Sequence, residues 1–158
     1  MVEKKEKGFD LNLHTARLLM NEPFFASLSR RVNKTASTLI PTAGVKVNED
    51  TAQFELLYNP TFFEGLTDVQ KAGVLKHEFY HLIFEHVTSR KPEGESFMMW
   101  NFATDLAINS HLVGELPESC LMPGEGKFQD YTPGLAAEAY MKQLKEDEQF
   151  DKSGNESK

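Results

Sequence analysis

The chain has 158 residues and a net charge of −7, with 40% hydrophobic and 26% charged residues. This length suits one domain with a core, and the acidic balance argues against a nucleic-acid partner, because phosphate binding needs a basic surface. No apolar run approaches the ~20 residues that span a bilayer, and the charged N-terminus lacks the apolar stretch of a secretory signal. The single cysteine, Cys120, excludes an internal disulfide framework and a thiolate metal cluster and fits the reducing cytoplasm.

The two ends of the chain are predicted to stand apart from one folded domain over residues 9–150. Residues 1–8 are mostly charged, and we expect them to form a flexible N-terminus. Residues 151–158 have nothing to bury, and we expect a disordered tail.

The first half of the chain is predicted to contain two helices and a β-hairpin. Asp10 is suited to cap the first helix, and Pro23 to open the second. Asn and Asp between the two strands supply the chemistry of a turn. The predicted helices are residues 11–21 and 23–34, and the predicted strands are residues 45–47 and 52–58.

The second half is predicted to be helical, with one long irregular loop. Thr67 and Gln70 form a capping box that begins a helix at Asp68, and we expect this helix to run to Ser89, before a proline stops it. Further helices are predicted over residues 97–113 and 135–146, with the loop at 115–134.

The helix that begins at Asp68 contains the motif His77-Glu78-x-x-His81. Positions four apart lie on one face of a helix, so the two imidazoles can bind one metal ion. Glu78 is one step round the helix, where its carboxylate can act as a general base on a water that the metal acidifies. The motif predicts a Zn²⁺ site of the zincin type, with Glu78 as the catalytic residue.

A second interpretation of the motif needs no metal. The surrounding residues are apolar, and buried polar groups need partners. The two histidines could instead hydrogen-bond to neighbouring groups in a core helix while Glu78 reaches solvent.

The next helix carries a polar stripe on an otherwise apolar sequence. Asn101, Asp105 and Asn109 are each four residues apart, so they share one face. We expect this stripe to face the histidines of the preceding helix.

Catalytic zinc needs a third protein ligand, and two residues are candidates. His86 follows His81 by five residues, which on a continuous helix turns it about 140° from the His81 face. Asp105, at the centre of the polar stripe, is therefore favoured, and His86 remains the alternative. If Asp105 is the ligand, His86 becomes a supporting or substrate-side residue, and Asn101 and Asn109 are expected to orient ligands by hydrogen bonds.

Together these motifs resemble a known family. His77-Glu-x-x-His81-x4-His86, followed by Trp100-Asn-x-Ala-x-Asp105-x-x-Ile-Asn109, is similar to the metallopeptidase domains found beside von Willebrand factor A-like domains in bacteria and phages. The similarity extends over nearly the whole chain, including Pro23-Phe24, Ile40–Ala43, Asn59-Pro60 and Ala137–Tyr140.

The resemblance implies an α+β, zincin-like fold, mostly helical, with a small antiparallel hairpin packed on the motif helix. It implies a zinc metallopeptidase acting on a peptide or protein in the cytoplasm of a bacterium or phage-infected bacterium, and no substrate is specified. No von Willebrand domain follows in this sequence, so we expect any partner protein to be a separate chain. The alternative is a catalytically inactive zincin-fold module that binds another protein. We expect no nucleic-acid or membrane partner.

Overall fold

The computed structural model describes residues 9–84, 86, 90 and 92–147, without the side chain of Ala26. The chain divides into two units, residues 1–82 and residues 83–158. The flexible N-terminus and the disordered tail predicted from the sequence lie outside the described residues.

The first helix, α1 (Leu11–Asn21), begins where the sequence predicts it. The Asp10 carboxylate accepts hydrogen bonds from the amides of Asn12 and Leu13, at 3.0 and 3.3 Å. Such a cap satisfies amides that the helix itself leaves without partners. The aspartate therefore fixes the first residue of the helix.

Only the first half of the second predicted helix, residues 23–34, is helical in the structure. Helix α2 spans Phe24–Ser29, and the chain then enters a strand, β1 (Val32–Ala36). The Lys34 ammonium donates to the Ser29 carbonyl at 2.7 Å, so a side chain satisfies the end of α2. The prediction of helix as far as Lys34 is wrong because a pairing with a distant strand overrides local propensity.

The predicted hairpin is present and is part of a larger sheet. Strands β2 (Ala43–Val47) and β3 (Phe54–Tyr58) pair antiparallel, with Val45 opposite Leu56. Strand β1 adds to the other side of β3 in parallel, giving the order β1-β3-β2. The sheet is therefore mixed, whereas only an antiparallel pair of strands is predicted from the sequence.

Two helices follow the sheet in the first unit. The short α3 (Pro60–Glu64) is capped by Asn59 and carries the fully buried Phe63. Helix α4 (Asp68–Ile83) contains the histidine motif. Most of its middle residues are buried, so the motif lies on a helix fixed in the core of the unit.

The second unit is built on two helices. Helix α5 (Phe97–Asn109) is capped by Ser96, whose hydroxyl accepts from the Met99 amide at 3.2 Å. Helix α6 spans Ala137–Glu146. Both are shorter than predicted: α5 ends at Asn109 instead of residue 113, and α6 begins two residues later than expected. Buried side chains of these helices and of the loop between them form one hydrophobic cluster that includes Trp100, Leu106, Phe128, Tyr140 and Leu144.

The loop between α5 and α6 is anchored to the second unit by two tyrosines. The Tyr131 hydroxyl donates to the Asp147 carboxylate at 2.6 Å. The pKa of Tyr131 is raised mainly by burial and to a smaller extent by this hydrogen bond. The Tyr140 hydroxyl donates to the Thr132 carbonyl, also at 2.6 Å. These two hydrogen bonds attach the C-terminal end of the loop to α6 and to the residue that follows it.

The described residues form helices and one three-stranded sheet, which confirms the prediction of an α+β fold. Over that part of the chain, none of the helices has both the length and the apolarity needed to cross a membrane.

Candidate metal centre

Helix α4 begins at the capping box that the sequence predicts. The Thr67 hydroxyl accepts from the Gln70 amide at 3.1 Å, and the Gln70 side chain accepts from the Thr67 amide at 3.0 Å. This reciprocal pair confirms the predicted start at Asp68. The motif therefore lies within a helix whose first residue is set by a local pair of hydrogen bonds.

The two motif histidines are brought together on that face. Their Nε2 atoms lie 3.1 Å apart, and the rings meet edge to face with centroids 4.8 Å apart. Two zinc–nitrogen bonds of about 2.0–2.1 Å at a tetrahedral angle place two nitrogens about 3.3 Å apart. The pair therefore fits two ligands of one ion. The same distance also fits a hydrogen bond between two neutral imidazoles.

Glu78 is buried beside the first of these histidines. It is 6% exposed, and one carboxylate oxygen lies 4.0 Å from Nε2 of His77. The carboxylate thus lies near the nitrogen that would ligate an ion. This arrangement suits a base that takes a proton from a water molecule at the ion.

Two contacts within the first unit hold this part of α4. Phe79 is fully buried and stacks on Phe25 with ring centroids 6.0 Å apart. Lys76, 8% exposed, has its ammonium 3.4 Å from a carboxylate oxygen of Glu22. Glu22 is not among the residues predicted from the sequence, because no local pattern links residues so far apart.

Helix α4 ends at Ile83, six residues before the predicted end at Ser89. The Arg90 guanidinium donates to the Phe84 carbonyl at 3.0 Å, and the Trp100 indole donates to the His86 carbonyl at 2.9 Å. Side chains thus satisfy carbonyls that a longer helix would have bonded internally. Residues 85 and 87–89 of the predicted helix lie outside the described residues.

The early end of α4 bears on His86 as a candidate metal ligand. The 140° offset from His81 assumed a continuous helix, and the helix stops before His86. His86 is 2% exposed. Its ring centroid lies 5.6 Å from that of Phe84 and 5.9 Å from that of Trp100. His86 is therefore a buried residue of the second unit, and the 140° offset expected on a continuous helix does not apply to it.

The three polar residues of α5 differ in their surroundings. Asn101 is exposed, Asp105 is half-buried, and Asn109 is 2% exposed. The Asn109 amide donates to the Leu121 carbonyl at 2.7 Å, so it holds the following loop. That Asp105 is the third ligand, and that the two asparagines orient ligands, stay predictions.

A buried helix with paired histidines and an adjacent glutamate is the arrangement of a metal-dependent hydrolase. The comparison with protein families agrees with that class. Residues 7–158 match the family described as "Putative metallopeptidase domain", and the chain belongs to this family. No curated protein and no solved structure matches the chain.

Proposed function

We propose that this protein is a zinc-dependent peptidase with a zincin-like site on helix α4. The observation that carries the proposal is the 3.1 Å separation of the His77 and His81 Nε2 atoms, with the Glu78 carboxylate beside them. Membership in a metallopeptidase family supports the same reaction class. The family and the histidine pair also support the broader class of metal-dependent hydrolases.

Zinc is favoured by the donor set. Imidazole and carboxylate ligands suit zinc, and the single cysteine is in keeping with a site that has no thiolate. His77 and His81 would hold the ion, and we propose Asp105 as the third ligand, because it is a half-buried carboxylate in the middle of an apolar helix. When bound, zinc would polarise a substrate carbonyl and lower the pKa of water to about 7.

Glu78 performs the proton transfers in this proposal. Its carboxylate accepts a proton from the attacking water and then donates it to the nitrogen of the leaving amine. Burial supports this role, because a 6% exposed carboxylate is shielded from bulk water and its interactions are stronger in a low-dielectric site.

The proposed substrate is a peptide or protein in the cytoplasm. The net charge of −7 supports a polypeptide substrate over nucleic acid, and the single cysteine supports a reducing compartment.

Glu78→Gln tests the proposed base, with Glu64→Gln as the matched control on the exposed end of α3. Bound zinc is measured by elemental analysis and turnover with a fluorogenic peptide library. We expect Glu78→Gln to keep its zinc and lose about 100-fold or more in rate, as removal of a general base does. The control should behave as the wild type does. Equal rates for Glu78→Gln and wild type would show that the base is wrongly assigned.

A second candidate function is an inactive zincin-fold module that binds a separate protein. The observation that favours it is again the histidine pair, since 3.1 Å also suits a direct hydrogen bond between two neutral rings. Elemental analysis of protein purified without added zinc separates the two functions. One tightly bound zinc supports the peptidase, and no bound metal together with no cleavage supports the binding module.

A further inference from the structure

The residue before the cap of α1 packs against the fourth residue of the helix. Asp10 is the N-cap, so Phe9 occupies the preceding position and His14 is the fourth helical residue. Residues at these two positions often pack together and fix the angle at which the chain enters a helix, and both are normally apolar. In this chain one of the two is a histidine. The contact at the start of α1 therefore contains a group that can take up a proton near neutral pH.

The Phe9 ring is held by three aromatic contacts within the first unit. Its centroid lies 5.2 Å from that of His14 and 4.4 Å from that of Phe63 on α3, and it is nearly parallel to both rings. The Tyr58 ring of β3 meets it edge to face at 5.9 Å. Such pairs contribute beyond the apolar area that they bury. Phe9 thus connects the start of α1 to α3 and to the sheet.

His14 is the buried, titratable member of this stack. It is 8% exposed. Among the residues that the structure describes, none forms a hydrogen bond or an ion pair with this imidazole. A neutral ring stacks on Phe9 without losing much hydration, whereas a protonated ring in the same place gives up water that stabilises its charge. The closed stack therefore favours the neutral form of His14.

The charged groups around His14 belong to α1, to its cap and to α4. The pKa of His14 is lowered from its ordinary value of 6.5 mainly by burial and next by the Lys71 ammonium. Smaller effects follow in decreasing order: Asp68 raises the pKa, Arg17 lowers it and Asp10 raises it. The two carboxylates do not offset burial and the two cations, so the net direction is downward.

Lys71 already places a cation against the stack. Its ammonium lies 6.0 Å from the centroid of the Phe9 ring and 3.8 Å from a carboxylate oxygen of Asp68. Asp68 also lies 3.5 Å from the Arg17 guanidinium, so this carboxylate is shared by two cations. An imidazolium at His14 is attracted by the Phe9 ring, but it loses hydration and meets both of these cations.

We propose that the stack of Phe9 on His14 is a pH-sensitive latch, which opens when His14 takes up a proton. In the closed form the neutral imidazole stacks on Phe9. In the open form the Phe9 ring leaves Phe63 and Tyr58, and His14 gains water. The latch lies wholly within the first unit, and the proposal does not rest on the histidine motif of α4 or on bound zinc.

The sign of the pH dependence follows from proton linkage. The open form binds the proton more tightly than the closed form does, because its His14 is hydrated. Closure is therefore fully favoured above pH 6.5, the ordinary value for a histidine. As the pH falls from there to the lowered pKa of the closed form, the ratio of open to closed chains rises by up to about tenfold per pH unit.

A pH titration of the full chain by NMR, with isotope-labelled Phe and His, follows both rings together. Their signals are assigned by their absence from Phe9→Ala and His14→Phe. We expect His14 to titrate below pH 6.5, and we expect the Phe9 signals to lose their ring-current shifts with the same midpoint. Phe9 signals that stay constant while His14 titrates would overturn the proposal.

Two variants separate the ring contact from the titrating group. Phe9→Ala uncovers His14 and should raise its pKa toward 6.5, because burial is the largest cause of the shift. Phe24→Ala is the matched control, since Phe24 is a 70% exposed phenylalanine of the same unit, and it should leave this pKa unchanged. His14→Phe keeps the stack and removes the proton acceptor, so its Phe9 signals should not change between about pH 7 and pH 5.

Charge variants provide a readout that a purely structural contact does not predict. Lys71→Gln should raise the pKa of His14, and Asp68→Asn should lower it further, because the two groups act in opposite directions. An unchanged pKa of His14 in Phe9→Ala contradicts the latch, as does a wild-type pH response of Phe9 in His14→Phe. If Phe9→Ala failed to fold, His14→Phe would decide the question.

Discussion

The Trp100 indole nitrogen donates a hydrogen bond of 2.9 Å to the carbonyl of His86, and both residues are almost fully buried. This bond satisfies a carbonyl just beyond the end of α4, where a helix leaves its last carbonyls without partners. It therefore stabilises the point at which the chain leaves the motif helix and enters the second unit.

Removing that bond should destabilise the protein measurably. Trp100→Phe keeps an aromatic ring but leaves the buried His86 carbonyl without its indole donor, which costs about 1–3 kcal/mol. The free energy of unfolding is measured by urea denaturation. Phe97→Leu, on an exposed position of the same helix, serves as the control and should change stability by less than about 0.5 kcal/mol. A Trp100→Phe variant as stable as wild type contradicts this role of the indole.

The proposal that Asp105 is the third zinc ligand is tested by comparing Asp105→Asn with His86→Gln. We expect Asp105→Asn to weaken zinc binding by more than about 100-fold, and His86→Gln to weaken it less, within the roughly 10–100-fold range of supporting residues. Zinc affinity is measured by competition with a chromophoric chelator. Circular dichroism checks that both variants are folded. The reverse order of affinities would identify His86 as the ligand.

The capping box of α4 should contribute to stability independently of any metal. Thr67→Ala removes the hydroxyl that accepts from the Gln70 amide, and the loss of an N-cap costs about 1 kcal/mol. Thr61→Ala, at an exposed position in α3, should change little. Thermal unfolding of both variants in the presence of chelator measures the difference. Equal melting temperatures for the two variants count against the cap.

The ion pair between Arg90 and Glu138 predicts a pH dependence of stability. The Arg90 hydrogen bond lowers the pKa of Glu138 below its ordinary value of 4.5. The folded chain therefore binds a proton at Glu138 less tightly than the unfolded chain does. The ion pair contributes fully to the free energy of unfolding above pH 4.5, and this contribution is lost as the pH falls through the lowered pKa of Glu138 in the folded chain. Solvent screening limits this contribution to less than about 1 kcal/mol.

Glu138→Gln measures this effect, with Glu146→Gln on the same helix as the control. Urea denaturation at pH 7 and pH 3 should show a smaller stability difference between the two pH values for Glu138→Gln than for wild type. The control should keep the wild-type difference. The same pH dependence in Glu138→Gln and wild type would show that this carboxylate is not the group responsible.

The sequence by itself determined the features of this protein that depend on neighbours a few residues apart. Thr67 and Gln70 fixed the start of α4, Asp10 fixed the start of α1, and the four-residue spacing placed His77 and His81 on one face. Each follows from the 3.6-residue period of the helix and from local hydrogen bonds. These interactions can be read without knowing where the rest of the chain lies.

The tertiary structure alone decided where elements end and which distant residues meet. Residues 32–34 became strand because β1 pairs with β3, and α4 stopped at Ile83, where Arg90 and Trp100 supply donors for carbonyls beyond its end. The pairing of Arg90 with Glu138 likewise joins residues with no local pattern between them. The physical reason is that local propensities differ by less than about 1 kcal/mol per residue, so contacts between distant segments determine the outcome.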